Sequence, residues 1–161
     1  MMYMDGRDKF ESGTGEMLIK LLSLFPIVDE RNNEKINSGS MQRYLAEMCW
    51  FPSATTENYI SWEAIGKYSA KATMTVGEKQ VFGIFRFSEN GEFLSFETQR
   101  YFGVEDAAQS ETWFIEAVDY KVFDGINIPN KCKVTWKLKD GDFNWLNLEI
   151  TDLEYNRNKI W

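Results

Sequence analysis

From Ile60 to Tyr155 apolar and polar residues take turns along the chain, segment after segment, with glycine-bearing turns between the segments. Successive side chains of a strand point to opposite faces of its sheet, so a period of two reads as a half-buried β-strand. Ala70, Ala72, Met74 and Val76 alternate with Ser69, Lys71, Thr73 and Thr75, and Gly77-Glu78 predicts a turn. Residues 81–87 are apolar on both parities, the pattern of a central strand covered on both faces. Asn90-Gly91 predicts a type I′ hairpin, since both residue types tolerate the positive φ that turn demands, and Phe93 to Phe102 returns. Val104 to Ser110 reads as a mobile polar loop, and Trp113 to Phe123 as another strand, ending at Asp124-Gly125. Lys131 to Lys139 alternates, Asp140-Gly141 turns, and Phe143 to Tyr155 closes the series. In that last strand Leu146, Leu148 and Ile150 give way to Leu153 and Tyr155 on the other parity, which predicts a bulge near Thr151-Asp152.

Upstream the pattern is less regular. The first fifteen residues, with Gly6, Gly13 and Gly15 among charges, read as a loosely ordered lead-in. In Met17 to Phe25, Leu18, Leu21, Leu22 and Phe25 satisfy helical spacing; the short apolar run ending at Pro26 also suits a buried strand, which is preferred. After the polar stretch Asp29 to Asn37, Ser38 or Ser40 offers a cap. Met41, Tyr44, Leu45, Met48 and Cys49 then recur at three- and four-residue steps, predicting one helix over residues 40–51 that Pro52 ends. The expected fold is therefore mainly β, of the α+β class. A strongly curved antiparallel sheet, or incomplete barrel, of about seven or eight strands packs over that helix. Residues 1–161 form one domain in this reading.

Composition narrows the chemistry more than it suggests any. The 161 residues include no histidine, so zincin motifs and serine or cysteine triads in their usual form are excluded. No GxSxG elbow or phosphate loop is present, no cofactor or metal site is expected, and Asp140-Gly141-Asp142 reads as a turn. A net charge of −7 disfavours nucleic acid. Lys131, Lys133, Lys137 and Lys139 read as one solvated strand face. Cys49 and Cys132 sit in apolar surroundings and read as free thiols. The run Met17 to Val28, broken by Lys20, Ser23 and Pro26, is too short to span a bilayer, and acidic residues precede it where a signal peptide is basic. Membrane insertion is not expected of this chain, and a cytoplasmic location is.

The most distinctive text is Arg43-Tyr44-Leu45-Ala46-Glu47-Met48-Cys49-Trp50-Phe51-Pro52. Arg43 and Glu47 lie one helical turn apart and can pair. Under a roof of sheet, Glu47 would sit among Tyr44, Trp50 and Trp62, with a raised pKa or a fixed cationic partner in Arg43 or Arg100. The large apolar side chains Trp50, Phe51, Trp62, Phe82, Phe96, Trp113, Trp136 and Trp145 exceed what a small filled core obviously needs. The candidate ligand-binding residues are Arg43, Tyr44, Glu47, Trp50, Trp62, Arg100 and Trp113. They point to a non-catalytic module that holds an apolar or amphiphilic, lipid-like molecule between sheet and helix. The alternative is an interaction domain that uses an exposed aromatic patch or an edge strand, including self-association. A second alternative is a histidine-free enzyme with Glu47 as acid or base and Tyr44 or Arg100 orienting the substrate.

The order RYLAEMCWFPSA, Trp62, Ala70 and Ala72, Phe85, Phe87 and Gly91, Arg100-Tyr101, Gly125-Ile126-Asn127-Ile128-Pro129 and Trp136 resembles an uncharacterised prokaryotic family of unknown function, from about Met17 to Tyr155. Its members often carry further sequence upstream, so the resemblance implies that this chain corresponds to a C-terminal portion. It also implies a curved antiparallel sheet around a helix, similar to carriers of lipoproteins or lipids. Fold alone does not fix function.

Overall fold

Alternation translates into a seven-stranded antiparallel meander in a computed structural model of the protein, described over residues 4–11, 14–21, 25–31, 33–103 and 107–156. Its strands are β4 (Ile60–Gly66), β5 (Ser69–Val76), β6 (Lys79–Phe87), β7 (Phe93–Phe102), β8 (Gln109–Phe123), β9 (Ile126–Leu138) and β10 (Gly141–Glu149). Each pairs with its neighbour in sequence, so β4 and β10 are the two edges and the bent sheet is not closed into a barrel. A three-stranded antiparallel sheet precedes it: β1 (Met4–Glu11), β2 (Thr14–Leu21) and β3 (Phe25–Arg31). The segment read as a loose lead-in thus carries β1 and the start of β2. Residues 104–106 of the predicted mobile loop, and residues 12–13 and 22–24 of the N-terminal readings, lie outside the described residues.

The one α-helix among the described residues, α1 (Glu34–Glu47), begins six residues before the predicted start and ends four before the predicted stop. Its cap is Asn33, whose side chain accepts the Ile36 N–H at 2.8 Å, so neither Ser38 nor Ser40 is needed as one. Residues 48–50 turn, and Pro52–Thr56 forms a short 3-10 segment. α1 packs against both sheets. On one side the Asn37 side chain accepts the Gly15 N–H at 2.7 Å. A Cβ at Gly15 would stand 2.6 Å from Ser40 Oγ, so only glycine lets β2 approach so closely. On another face Gln42 Nε2 donates to Thr98 Oγ1 at 3.2 Å and to the Gln99 carbonyl of β7. Such partners are why polar Asn37 and Gln42 are buried in a helix whose pattern looks weakly amphipathic.

The core gathers Met41 and Leu45 of α1 and its C-cap residue Met48 over Ala72, Met74, Phe85, Phe96, Trp113, Cys132, Val134 and Trp136 of the sheet. The outer face is solvated. There Lys131 pairs with Asp119 and Glu149, and Lys133 with Glu116, as expected of an exposed ladder, each pair contributing at most about 1 kcal/mol. Three local readings are corrected. β6 is not covered on both faces: Phe82 is 47% exposed, with Lys71 Nζ 4.9 Å over its ring, because an antiparallel meander leaves one face to water. The β6–β7 connection is not a two-residue type I′ turn. Gly91 has φ 82° but Asn90 does not have a positive φ, and residues 88–92 form a longer loop tied by Ser88. The bulge falls between Asn144 and Leu146 rather than at Thr151-Asp152, since β10 ends at Glu149. The tail beyond it returns to α1, and the Tyr155 hydroxyl donates to the Trp50 carbonyl at 2.6 Å.

Candidate ligand-binding site

Beside the C-terminal half of α1 the sheet is incompletely covered, leaving a cleft of about 440 Å³. Its floor follows from strand register. Trp113 of β8 lies directly opposite Trp136 of β9, and Trp136 opposite Phe143 of β10, so the three side chains share one face. Cys132 and Val134 of β9, paired with Leu148 and Leu146 of β10, extend that face as an apolar strip. Trp145, which stands within the bulge, lines the cleft as well.

The polar side comes from α1 and β7. Arg43 and Glu47, one turn apart, are joined by an ion pair of 3.2 Å at the cleft wall. Arg100 points inward from β7, with its guanidinium carbon 4.6 Å from the Trp113 ring centre and 6.0 Å from that of Trp136. A Cβ at Gly39 would stand 3.3 Å from Arg100 Nε, so the helix passes close over this side chain. Trp50 closes one end, its indole N–H donating to the Pro129 carbonyl at 2.9 Å. The resulting surface is aromatic and aliphatic over most of its extent, with two guanidinium groups and one carboxylate concentrated on one wall.

Five of the seven residues predicted from the sequence, Arg43, Glu47, Trp50, Arg100 and Trp113, line this one cleft. Glu47 has Arg43 as its cationic partner. Tyr44 lines neither this cleft nor the larger one nearby. It faces the 3-10 segment instead, sharing a hydrogen bond of 2.7 Å with the Tyr59 hydroxyl and packing on Phe51. Burial, then the Tyr59 hydrogen bond, pushes its phenol well up from the ordinary value. Trp62 belongs to a separate cleft and donates to the Thr55 carbonyl at 2.9 Å. The candidate list omitted Trp136, Trp145, Leu146 and Leu148, although Trp136 and Trp145 were among the surplus aromatic residues; the signal for Trp136 was available in its alternation with Lys133, Thr135 and Lys137, and that for Leu146 and Leu148 in their own alternation.

The thiols complete the picture. Cys49 and Cys132 both line the cleft and are unbonded to each other. Burial pushes the Cys49 thiol well up and that of Cys132 up to about 11, so both are protonated near neutral pH. No group of three or more acidic or cysteine side chains gathers into a metal-binding arrangement among the described residues, and no helix among them is long and apolar enough to cross a membrane.

The chain belongs to a family of unknown function (DUF6920), whose profile matches residues 1–155. It is significantly similar to no curated protein and to no solved structure.

Proposed function

We propose that the protein is a non-catalytic binding module whose ligand is an amphiphilic, lipid-like molecule held between α1 and the sheet. The observation that carries this reading is the division of the 440 Å³ cleft into an apolar floor, from Trp113 and Trp136 to Leu148, and a charged wall of Arg43, Glu47 and Arg100. A cleft of that size lies within the range of small-molecule sites, roughly 300–1,000 Å³, and its few polar groups converge on one side. Two guanidiniums against one carboxylate favour an anionic head group, because Glu47 is paired with Arg43 while Arg100 lies over an indole face. The apolar tail would lie along Val134, Leu146 and Leu148. The test is displacement of a fluorescent fatty-acid analogue by dodecanoate. Saturable displacement at one site per chain supports the reading, and the absence of saturable binding ends it.

A second reading, an interaction surface, is favoured by one observation. Phe143 and Trp145, each about half exposed, lie on the edge strand β10. Light scattering over a concentration series tests it: growth in mass that a Trp145→Lys variant abolishes supports association through this edge, and a constant monomer mass contradicts it.

A further inference from the structure

A second cleft, of about 550 Å³, shares only Cys49 with the first and has the opposite chemistry. Its walls are aromatic: Trp62 of β4, Phe85 and Phe87 of β6, Phe93 of β7 and Tyr120 of β8. These rings are held in place by one another. Trp62 meets Phe85 edge-on at 5.1 Å, Phe85 and Phe87 are stacked at 6.2 Å, and Phe93 meets Phe85 edge-on at 5.9 Å. The two polar handles are committed elsewhere, the Trp62 N–H to the Thr55 carbonyl and the Tyr120 O–H to the Phe93 carbonyl.

Charge at this cleft comes from one side chain. Glu92 lines it, and no lysine or arginine does. The loop holds Glu92 in place: its backbone N–H donates to Ser88 Oγ at 3.1 Å and its carbonyl accepts the Ser88 N–H at 2.8 Å. Glu92 lines the cleft next to Phe93 in sequence and is exposed, so its carboxylate stays hydrated and charged. An anion would meet repulsion here. A compact ammonium would lose more hydration than a largely apolar pocket returns, whereas a quaternary ammonium is weakly hydrated and is attracted by ring faces.

We propose that this cleft is a second binding site, selective for a quaternary ammonium group, with Trp62 and its neighbouring rings supplying cation–π contact and Glu92 the counter-charge. The site stands independently of the amphiphile reading, as none of the charged residues of the first cleft contributes to it. The experiment is calorimetric titration of the full chain with choline and with its neutral isostere, in which carbon replaces the ammonium nitrogen. Choline is expected to bind saturably, with the isostere about tenfold weaker. Glu92 is exposed, so Glu92→Gln leaves the fold intact and is expected to weaken choline binding about three- to tenfold. Trp62→Leu is expected to remove most of the binding, while dodecanoate bound in the first cleft leaves it unchanged. Absence of saturable choline binding, equal affinity for the isostere, or a Glu92→Gln variant that binds as tightly as the parent overturns the proposal.

Discussion

The guanidinium of Arg100 lies 4.6 Å over the indole of Trp113, beneath Gly39 of the helix. The contact joins β7, β8 and α1 at the point where the core ends and the first cleft begins. A long basic side chain is tolerated there because its methylenes pack on apolar neighbours while its planar head spreads over an aromatic face.

Arg100→Ala is therefore expected to act on both stability and binding. Loss of the partly desolvated cation–π contact lowers the unfolding free energy by about 1 kcal/mol, read as a shift in the urea midpoint at unchanged slope. Affinity for dodecanoate falls about tenfold, while that for the uncharged alcohol of the same chain length changes little. Equal losses for acid and alcohol would mean that Arg100 shapes the cleft without reading charge.

Gly83 on β6 lies against a buried ring: a Cβ there would stand 2.1 Å from a ring carbon of Phe96, which is fully buried. Gly83→Ala is expected to destabilise the protein by about 3 kcal/mol, at the upper end of overpacking costs. Chemical denaturation checks it, and a loss below about 1 kcal/mol would show that Phe96 has room to shift.

These features differ in how far the sequence exposed them. The alternation of Cys132, Val134 and Trp136 with Lys131, Lys133 and Lys137 is visible without coordinates, because a half-solvated antiparallel strand leaves a period-two trace. The helix text from Arg43 to Trp50 likewise marked one wall of the cleft. The first two turns of α1 were illegible, since Asn37 and Gly39 are buried for tertiary reasons: a bond to Gly15 and a close pass over Arg100. β1 left little trace because Gly6 and Asp8 stand on the parity of Met4 and Phe10, where an alternating strand would be apolar throughout. The second cleft was missed because it brings together residues from widely separated segments, of which only Trp62 was picked out as a binding residue.

Stability is expected to fall on the alkaline side. The Cys132 thiol is raised from 9.0 to about 11 and the Tyr120 phenol from 10.0 to about 12, chiefly by burial, and Cys49 moves the same way. The unfolded chain therefore releases these protons first. Stability is complete below about pH 9 and is lost as pH rises towards about 12, where the folded groups also ionise. The urea midpoint measured from neutral pH upward is expected to hold steady and then decline above about pH 9, with a shallower decline in Cys132→Ala. A midpoint that stays constant to about pH 11 would contradict the burial of these groups.

The central claim, that the cleft beside α1 receives an amphiphile, is tested most directly by following the tryptophan indole N–H resonances while dodecanoate is added to labelled protein. Trp50, Trp113, Trp136 and Trp145 line that cleft and Trp62 does not. The account predicts saturable, concerted shifts of the first four with Trp62 unmoved; shifts confined to Trp62, or no shifts at all, would contradict it.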